Sequence, residues 1–205
     1  CDDAGDSGVP FTVQSISKPF VFALALADRG LADVSSRVGS EPSGEAFNAI
    51  SLEPQSGRPA NPMINAGAIL TSSLVRAADA TERFDRIREM LSAFAGRQLT
   101  VDEDVFASER ATGDRNRALG YLMRNAGSLD CDVEEALEVY FRQCSVSVTT
   151  TDLAVMAATL ANGGVNPCTQ DVVVDRRTAT LVLTIMATCG MYDYAGEWLL
   201  RAGLP

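Results

Sequence analysis

Between Asn61 and Gly190 the chain repeats one signal: a side chain able to cap a helix, apolar residues three and four apart, and a glycine at or near the end. Asn61-Pro62 places an N-cap before a proline suited to the first helical position, which opens a helix to about Ala78. From Thr81, the residues Phe84, Ile87, Leu91 and Phe94 recur at helical spacing, and Gly96 closes the run. Asp102 and Asp114 can cap two further helices, and Asp132 a third that carries Leu137, Tyr140, Phe141 and Cys144 on one face. Thr150 or Thr151 starts another, ended by Asn162-Gly163-Gly164, and Asp175 starts the last long one, ended by Gly190. Upstream, the uncharged run 20–27 followed by Asp28-Arg29-Gly30 predicts a helix over about 16–29, and the Ser-, Gly- and Pro-rich residues 31–60 predict a long loop. Strand candidates are confined to the ends, at 9–13 and, with poor alternation, at 197–202. Two strands alone are marginal, so the chain reads as the helical middle of something larger.

With 205 residues and no internal repeat, low-complexity tract or linker, residues 1–205 are expected to form a single domain. Histidine is absent, and of 17 basic residues 16 are arginine, which leaves Lys18 as the only lysine. Ser-His-Asp and Cys-His catalysis and every histidine-ligated metal scheme are thereby excluded. Acid–base chemistry near neutral pH falls to Lys18, a tyrosine, a thiol or a carboxylate. A net charge of −10 argues against nucleic acid and against an anionic membrane surface, since both are held by clustered Lys and Arg. The five cysteines, at 1, 131, 144, 168 and 189, form no CxxC or close pair, so a reducing cytoplasm is expected rather than a disulfide framework. The apolar runs 19–27 and 178–191 are shorter than the ~20 residues that span a bilayer and read as core helices.

The chemistry concentrates at Gln14-Ser15-Ile16-Ser17-Lys18-Pro19. A spacing of three puts Ser15 and Lys18 on one face of a helix start, where the dipole favours a developing oxyanion. A partly buried lysine there has a depressed pKa and can take the serine proton. The same spacing is met by a capping serine beside a solvated lysine; that Lys18 is the lone lysine among sixteen arginines favours the catalytic reading. Asn65 and Asn116 also fall in helical first turns and can converge with Ser15 on a small anionic group, although asparagine is an ordinary residue at helix starts.

Five blocks carry a resemblance to a known family: FTVQSISKPF, EPSGEAFNAISLE with GRPANPMINAGAI, SERATGDRNRALGYLM, YFRQCSVSVTTTDLAVMAATLANGGVNP, and MATCGMYDYAGEWLLRAGLP. In order and spacing the chain resembles the serine-dependent glutaminases over nearly its whole length. The resemblance implies an α+β fold like that of the serine β-lactamases and transpeptidases, with this chain supplying mostly the helical part plus edge strands of an antiparallel sheet. It implies hydrolysis of L-glutamine to L-glutamate and ammonia without metal or organic cofactor. Ser15 matches the nucleophile, Lys18 its base, and Tyr192 the tyrosine that binds substrate and helps move protons. Asn65, Glu109, Asn116 and Tyr140 match substrate-binding positions. A carboxylate at Glu109 suits an α-ammonium, and amides and hydroxyls suit an α-carboxylate and a side-chain amide. Taken singly, Glu109 could instead pair with Arg110, Tyr140 could be core, and Tyr192 could plug a corner.

Family members continue past Gly203-Leu204-Pro205 with a Lys-Ser-Gly-Val strand whose valine gives the oxyanion hole its second N–H, and they precede residue 1 with a tyrosine that closes over substrate. Residues 1–205 by themselves are therefore expected to be a poor catalyst. The resemblance also implies a homodimer or homotetramer. A penicillin-recognising serine hydrolase shares Ser-x-x-Lys, but no clear Ser-x-Asn or Tyr-x-Asn motif accompanies it here. Cys144 and Cys189, though close to the motifs, are expected to act as small buried hydrophobes.

Overall fold

A cluster of buried apolar side chains draws on almost every helix, and the N-terminal helix α1 (Lys18–Arg37) runs through it with residues from Phe20 to Leu26 all buried. The computed structural model describes residues 4–45 and 49–203. Residues 46–48 of the expected loop and Cys1 lie outside the described residues. A short strand β1 (Phe11–Thr12) precedes a single 3₁₀ turn (Gln14–Ser17) that leads directly into α1. The expected helix over 16–29 is thus two pieces, with Ser15 in the tighter turn and Lys18 at the first α-helical position. Gly30, at φ 78°, kinks α1, and helix then resumes to Arg37 within what the composition suggested was loop.

Helix α2 (Asn65–Leu74) starts later than Asn61-Pro62 predicts. Asn61 is fully buried, and its Oδ1 accepts from the N–H groups of Met63 (2.9 Å) and Ile64 (3.2 Å), forming a separate turn that delivers Asn65 to the helix start. A Cβ on Gly67 would lie 1.8 Å from the Asn61 carbonyl oxygen, so only glycine lets this turn pack on α2. The helix ends at Leu74, four residues short of expectation, because Val75 is extended.

Elsewhere the caps expected at Asp102, Asp132 and Asp175 are present, that at Asp114 is not, and Asp79, which the sequence reading did not single out, is a further cap. Helices α3 (Ala80–Ala95), α4 (Glu103–Thr112), α6 (Val133–Cys144) and α8 (Arg176–Cys189) are capped by the side chains of Asp79, Asp102, Asp132 and Asp175. The N-cap of α5 (Asp114–Ala126) is Gly113 rather than Asp114, whose side chain makes no capping bond. A Cβ at Gly113 would strike the Phe141 ring at 2.3 Å, so the α4–α5 corner closes onto α6 only with glycine there. Helix α7 (Thr150–Ala161) opens with a capping box between Thr149 and Asp152. The tail is not a strand: α9 (Ala195–Ala202) is helical, with a Glu197–Arg201 pair at i,i+4 spacing (2.8 Å).

The sheet consequently forms within the chain rather than from its ends. Strand β3 (Val146–Val148), directly after α6, pairs antiparallel with β1 on one side and with β2 (Thr100–Val101) on the other, in the order β1-β3-β2. The arrangement is α+β, as the sequence blocks imply. No described helix is long and apolar enough to cross a membrane.

Candidate functional site

Lys18 decides what this site can be. Its side chain is 2% exposed, at the meeting point of α1, α2 and α6, so it is not the solvated charge that the sequence left open. Burial lowers its pKa from 10.5 to about 8, with the nearby Cys144 acting weakly in the opposite direction. Its Nζ donates to Asn65 Oδ1 at 2.8 Å and lies 5.8 Å from the centre of the Tyr192 ring. An amine so placed exchanges its proton near neutral pH at little cost.

Asn65 is the hub. Its Oδ1 accepts from Lys18 and, at 3.4 Å, from the Tyr140 hydroxyl, while its Nδ2 donates to Asn116 Oδ1 at 3.0 Å. Four helices are joined in this way, because Lys18 starts α1, Asn65 starts α2, Asn116 lies in the first turn of α5, and Tyr140 is on the inner face of α6. The convergence of asparagines proposed from helix starts is present, although Asn116 owes its place to the Gly113 corner and not to a cap.

Ser15 and Tyr192 complete the cluster, the Ser15 side chain lying near enough to act on the titration of the Tyr192 hydroxyl. Burial raises the Tyr192 pKa, and the contact with Ser15 opposes that rise. Tyr140 is 3% exposed, and burial holds its hydroxyl well above its usual pKa, so it serves as a neutral donor. Glu109, on α4, does not pair with Arg110; its Oε1 accepts from Gln14 Nε2 at 3.3 Å, while Arg110 lies 3.8 Å from Glu138. All seven residues picked from the sequence, Ser15, Lys18, Asn65, Glu109, Asn116, Tyr140 and Tyr192, thus fall in one region linked by these contacts or by adjacency along the chain.

Three neighbours were not expected from the sequence. Gln14 touches Glu109, Gln143 reaches Ser17, and Cys144 lies beside Tyr140 and Lys18. Their nearness to the QSISK and YFRQCS motifs was the signal available, but a pattern along the chain does not say which side of a turn faces the site. Burial drives the Cys144 pKa up to about 12, so the thiol stays neutral. The expectation of a small buried group holds for Cys144 and Cys189, at 4% and 1% exposed, with the addition that Cys144 lies within the cluster. Alkylation at pH 8 followed by peptide mass spectrometry should modify the exposed Cys168 in the folded protein, and Cys144 and Cys189 only after unfolding. Rapid modification of native Cys144 would contradict its burial. A cavity of about 490 Å³ lined by Phe84, Arg88, Glu138, Arg142 and their neighbours shares no residue with the cluster.

The glutaminase family model matches residues 2–205. A glutaminase from Nostoc is 56% identical over 201 residues, covering 98% of this chain and 60% of the relative, and one from Clavibacter michiganensis is 55% identical, covering 98% and 62%. Among solved structures, a probable glutaminase from Bacillus subtilis is 40% identical with a TM-score of 0.94, covering 98% of this chain and 65% of that one. The chain spans about 60% of the length of such curated relatives. Ser15 and Lys18 at a helix start, an asparagine hub on Lys18, and a match along nearly every residue lead to one conclusion: this chain belongs to the glutaminase family.

Proposed function

We propose that the cluster hydrolyses the side-chain amide of L-glutamine to L-glutamate and ammonia through an acyl-enzyme on Ser15. The observation that carries this reading is the buried Lys18, its pKa lowered to about 8 and its amine bonded to Asn65, three residues from Ser15. Neutral Lys18 takes the Ser15 proton as Oγ attacks the amide carbon. The resulting oxyanion is met by the Ser15 N–H at the start of the turn and α1. As the intermediate collapses, the C–N bond breaks and the departing nitrogen takes the proton from Lys18, with Tyr192 as relay, leaving as ammonia. Water then attacks the ester, gives a proton back through Lys18 to Ser15, and releases glutamate. Glu109 receives the α-ammonium, and Asn65, Asn116 and Tyr140 hold the α-carboxylate and the reacting amide.

This route uses side chains and backbone only, with no metal or organic cofactor. The proposal extends to a cytoplasmic homodimer or homotetramer, in keeping with the free thiols at every described cysteine.

A diazoketone analogue of glutamine should esterify Ser15 alone, with label, located by peptide mass spectrometry, rising as activity falls. Ser15→Ala should neither label nor turn over glutamine. Turnover by Ser15→Ala at the parent rate, or inactivation with the label on another residue, would overturn the reading.

A further inference from the structure

Only three described residues other than glycine have a positive φ, and two of them belong to the site: Gln14 at 48° and Tyr192 at 55°, with Gln170 the third. A glutamine is strained in that region, and such strain persists only where surrounding contacts enforce it. Gln14 immediately precedes Ser15, so its backbone sets the direction in which the serine hydroxyl emerges.

Contacts hold Gln14 on both sides. Before it, Val13 N–H donates to the Val146 carbonyl at 2.8 Å, fixing the approach to β3. Its side-chain amide donates to Thr12 Oγ1 and to Glu109 Oε1, each at 3.3 Å. Its carbonyl accepts from the Ser17 hydroxyl at 2.7 Å, and Ser17 Oγ in turn accepts from Gln143 Nε2, on α6, at 2.9 Å. Ser17 and Gln143 are both 0% exposed. Since the Ser17 proton is committed to Gln14, Gln143 must present its nitrogen to Ser17, and its Oε1 is left buried without a partner among the described residues. A buried orphan oxygen costs stability, and an apolar side chain of the same shape would not carry that cost. Stability therefore does not account for Gln143; the N–H it gives to Ser17 does.

We propose that Gln143 and Ser17 are positioning residues, a buried hydrogen-bonded strut from α6 to the Gln14 carbonyl that enforces the left-handed Gln14 and so aims the Ser15 hydroxyl at Lys18 and Tyr192. The proposal rests on Ser15 being the nucleophile. It is tested in the full chain with Gln143→Met, Ser17→Ala, the double variant and Ser15→Ala, by measuring kcat and KM for glutamine, the rate of diazoketone labelling, and Tm. Gln143→Met should lower kcat and labelling together by roughly 10- to 100-fold, the scale of a misaimed nucleophile, with KM near the parent value and Tm equal or higher. Ser17→Ala should lower kcat similarly, and the double variant no further than the worse single one, because both break one strut. Gln143→Met and Ser17→Ala with kcat within about twofold of the parent, or losses that multiply in the double variant, would overturn the strut. An active Ser15→Ala would instead overturn the nucleophile assignment, an outcome distinct from an inactive Ser15→Ala beside a fully active Gln143→Met.

Discussion

Lys18→Met is expected to abolish glutamine turnover and, at neutral pH, to make the folded protein more stable. The Lys18 side chain is 2% exposed, and burial takes its pKa from 10.5 to about 8. That difference corresponds to a penalty on the order of 3 kcal/mol for carrying the charge inside the fold. Below about pH 8 folded and unfolded chains both hold the proton and the penalty is fully present. Between 8 and 10.5 the unfolded chain binds a proton that the folded one lacks, so stability rises with pH, and above that range the penalty is gone. Methionine keeps the stem and carries no charge. Its gain is offset in part because Asn65 Oδ1 keeps only the longer bond from Tyr140. The variant should therefore melt above the parent at pH 6, by roughly 2–4 °C for each kcal/mol, with the advantage shrinking toward pH 10. Turnover should fall by roughly 10²–10⁴-fold, the usual contribution of a general base. Lys18→Arg isolates the cause, since it keeps a cation that does not deprotonate: it should be as inactive as Lys18→Met and show none of its thermal gain. Near-parent activity in the arginine variant, or a lower Tm for the methionine variant at pH 6, would refute this account of Lys18.

Asn65→Asp is expected to move the pH dependence of the enzyme rather than simply weaken it. The substitution leaves the shape almost unchanged but puts a carboxylate where an amide oxygen now stands 2.8 Å from Lys18 Nζ. An opposite charge at that distance favours the ammonium form and should raise the lysine pKa by about 1–3. In the parent, kcat/KM should climb with pH through an apparent pKa near 8, as Lys18 becomes neutral. In the variant that limb should move to higher pH, and the fraction of neutral amine at pH 7 should fall roughly 10- to 1,000-fold in step with the higher lysine pKa. The donor to Asn116 is lost as well, so KM should also rise. The discriminating measurement is the full pH–rate profile of both proteins. An unmoved limb with a uniform loss of rate would mean that Asn65 acts on substrate alone and that Lys18 is not the titrating base.

Side chains that act on their own chain neighbours were legible in the sequence. Asp102, Asp132 and Asp175 cap helices as expected, because an N-cap bond spans only three residues, so a local pattern contains both partners. The same local reasoning failed in two places. Asn61 looked like the N-cap of α2 and instead builds its own turn, against whose carbonyl Gly67 packs, and 197–202 looked extended and is helix. Strands β2 and β3 have two and three residues, too few for alternation to register, and are fixed by pairing between residues about 45 positions apart.

The composition alone decided which chemistry was available: without histidine and with a single lysine, proton transfer at neutral pH had very few candidates, and the motif around Ser15 made Lys18 the foremost of them. Composition could not decide whether that lysine is a base or a solvated cation, because the answer depends on what covers it. Covering Lys18 takes α1, Asn65 at the start of α2, and Cys144 at the end of α6, elements brought together by the close packing at Gly67 and Gly113. The sequence named the ionisable group; the tertiary structure excluded water from it, and desolvation is what brings a lysine pKa down to where it can accept a proton from serine.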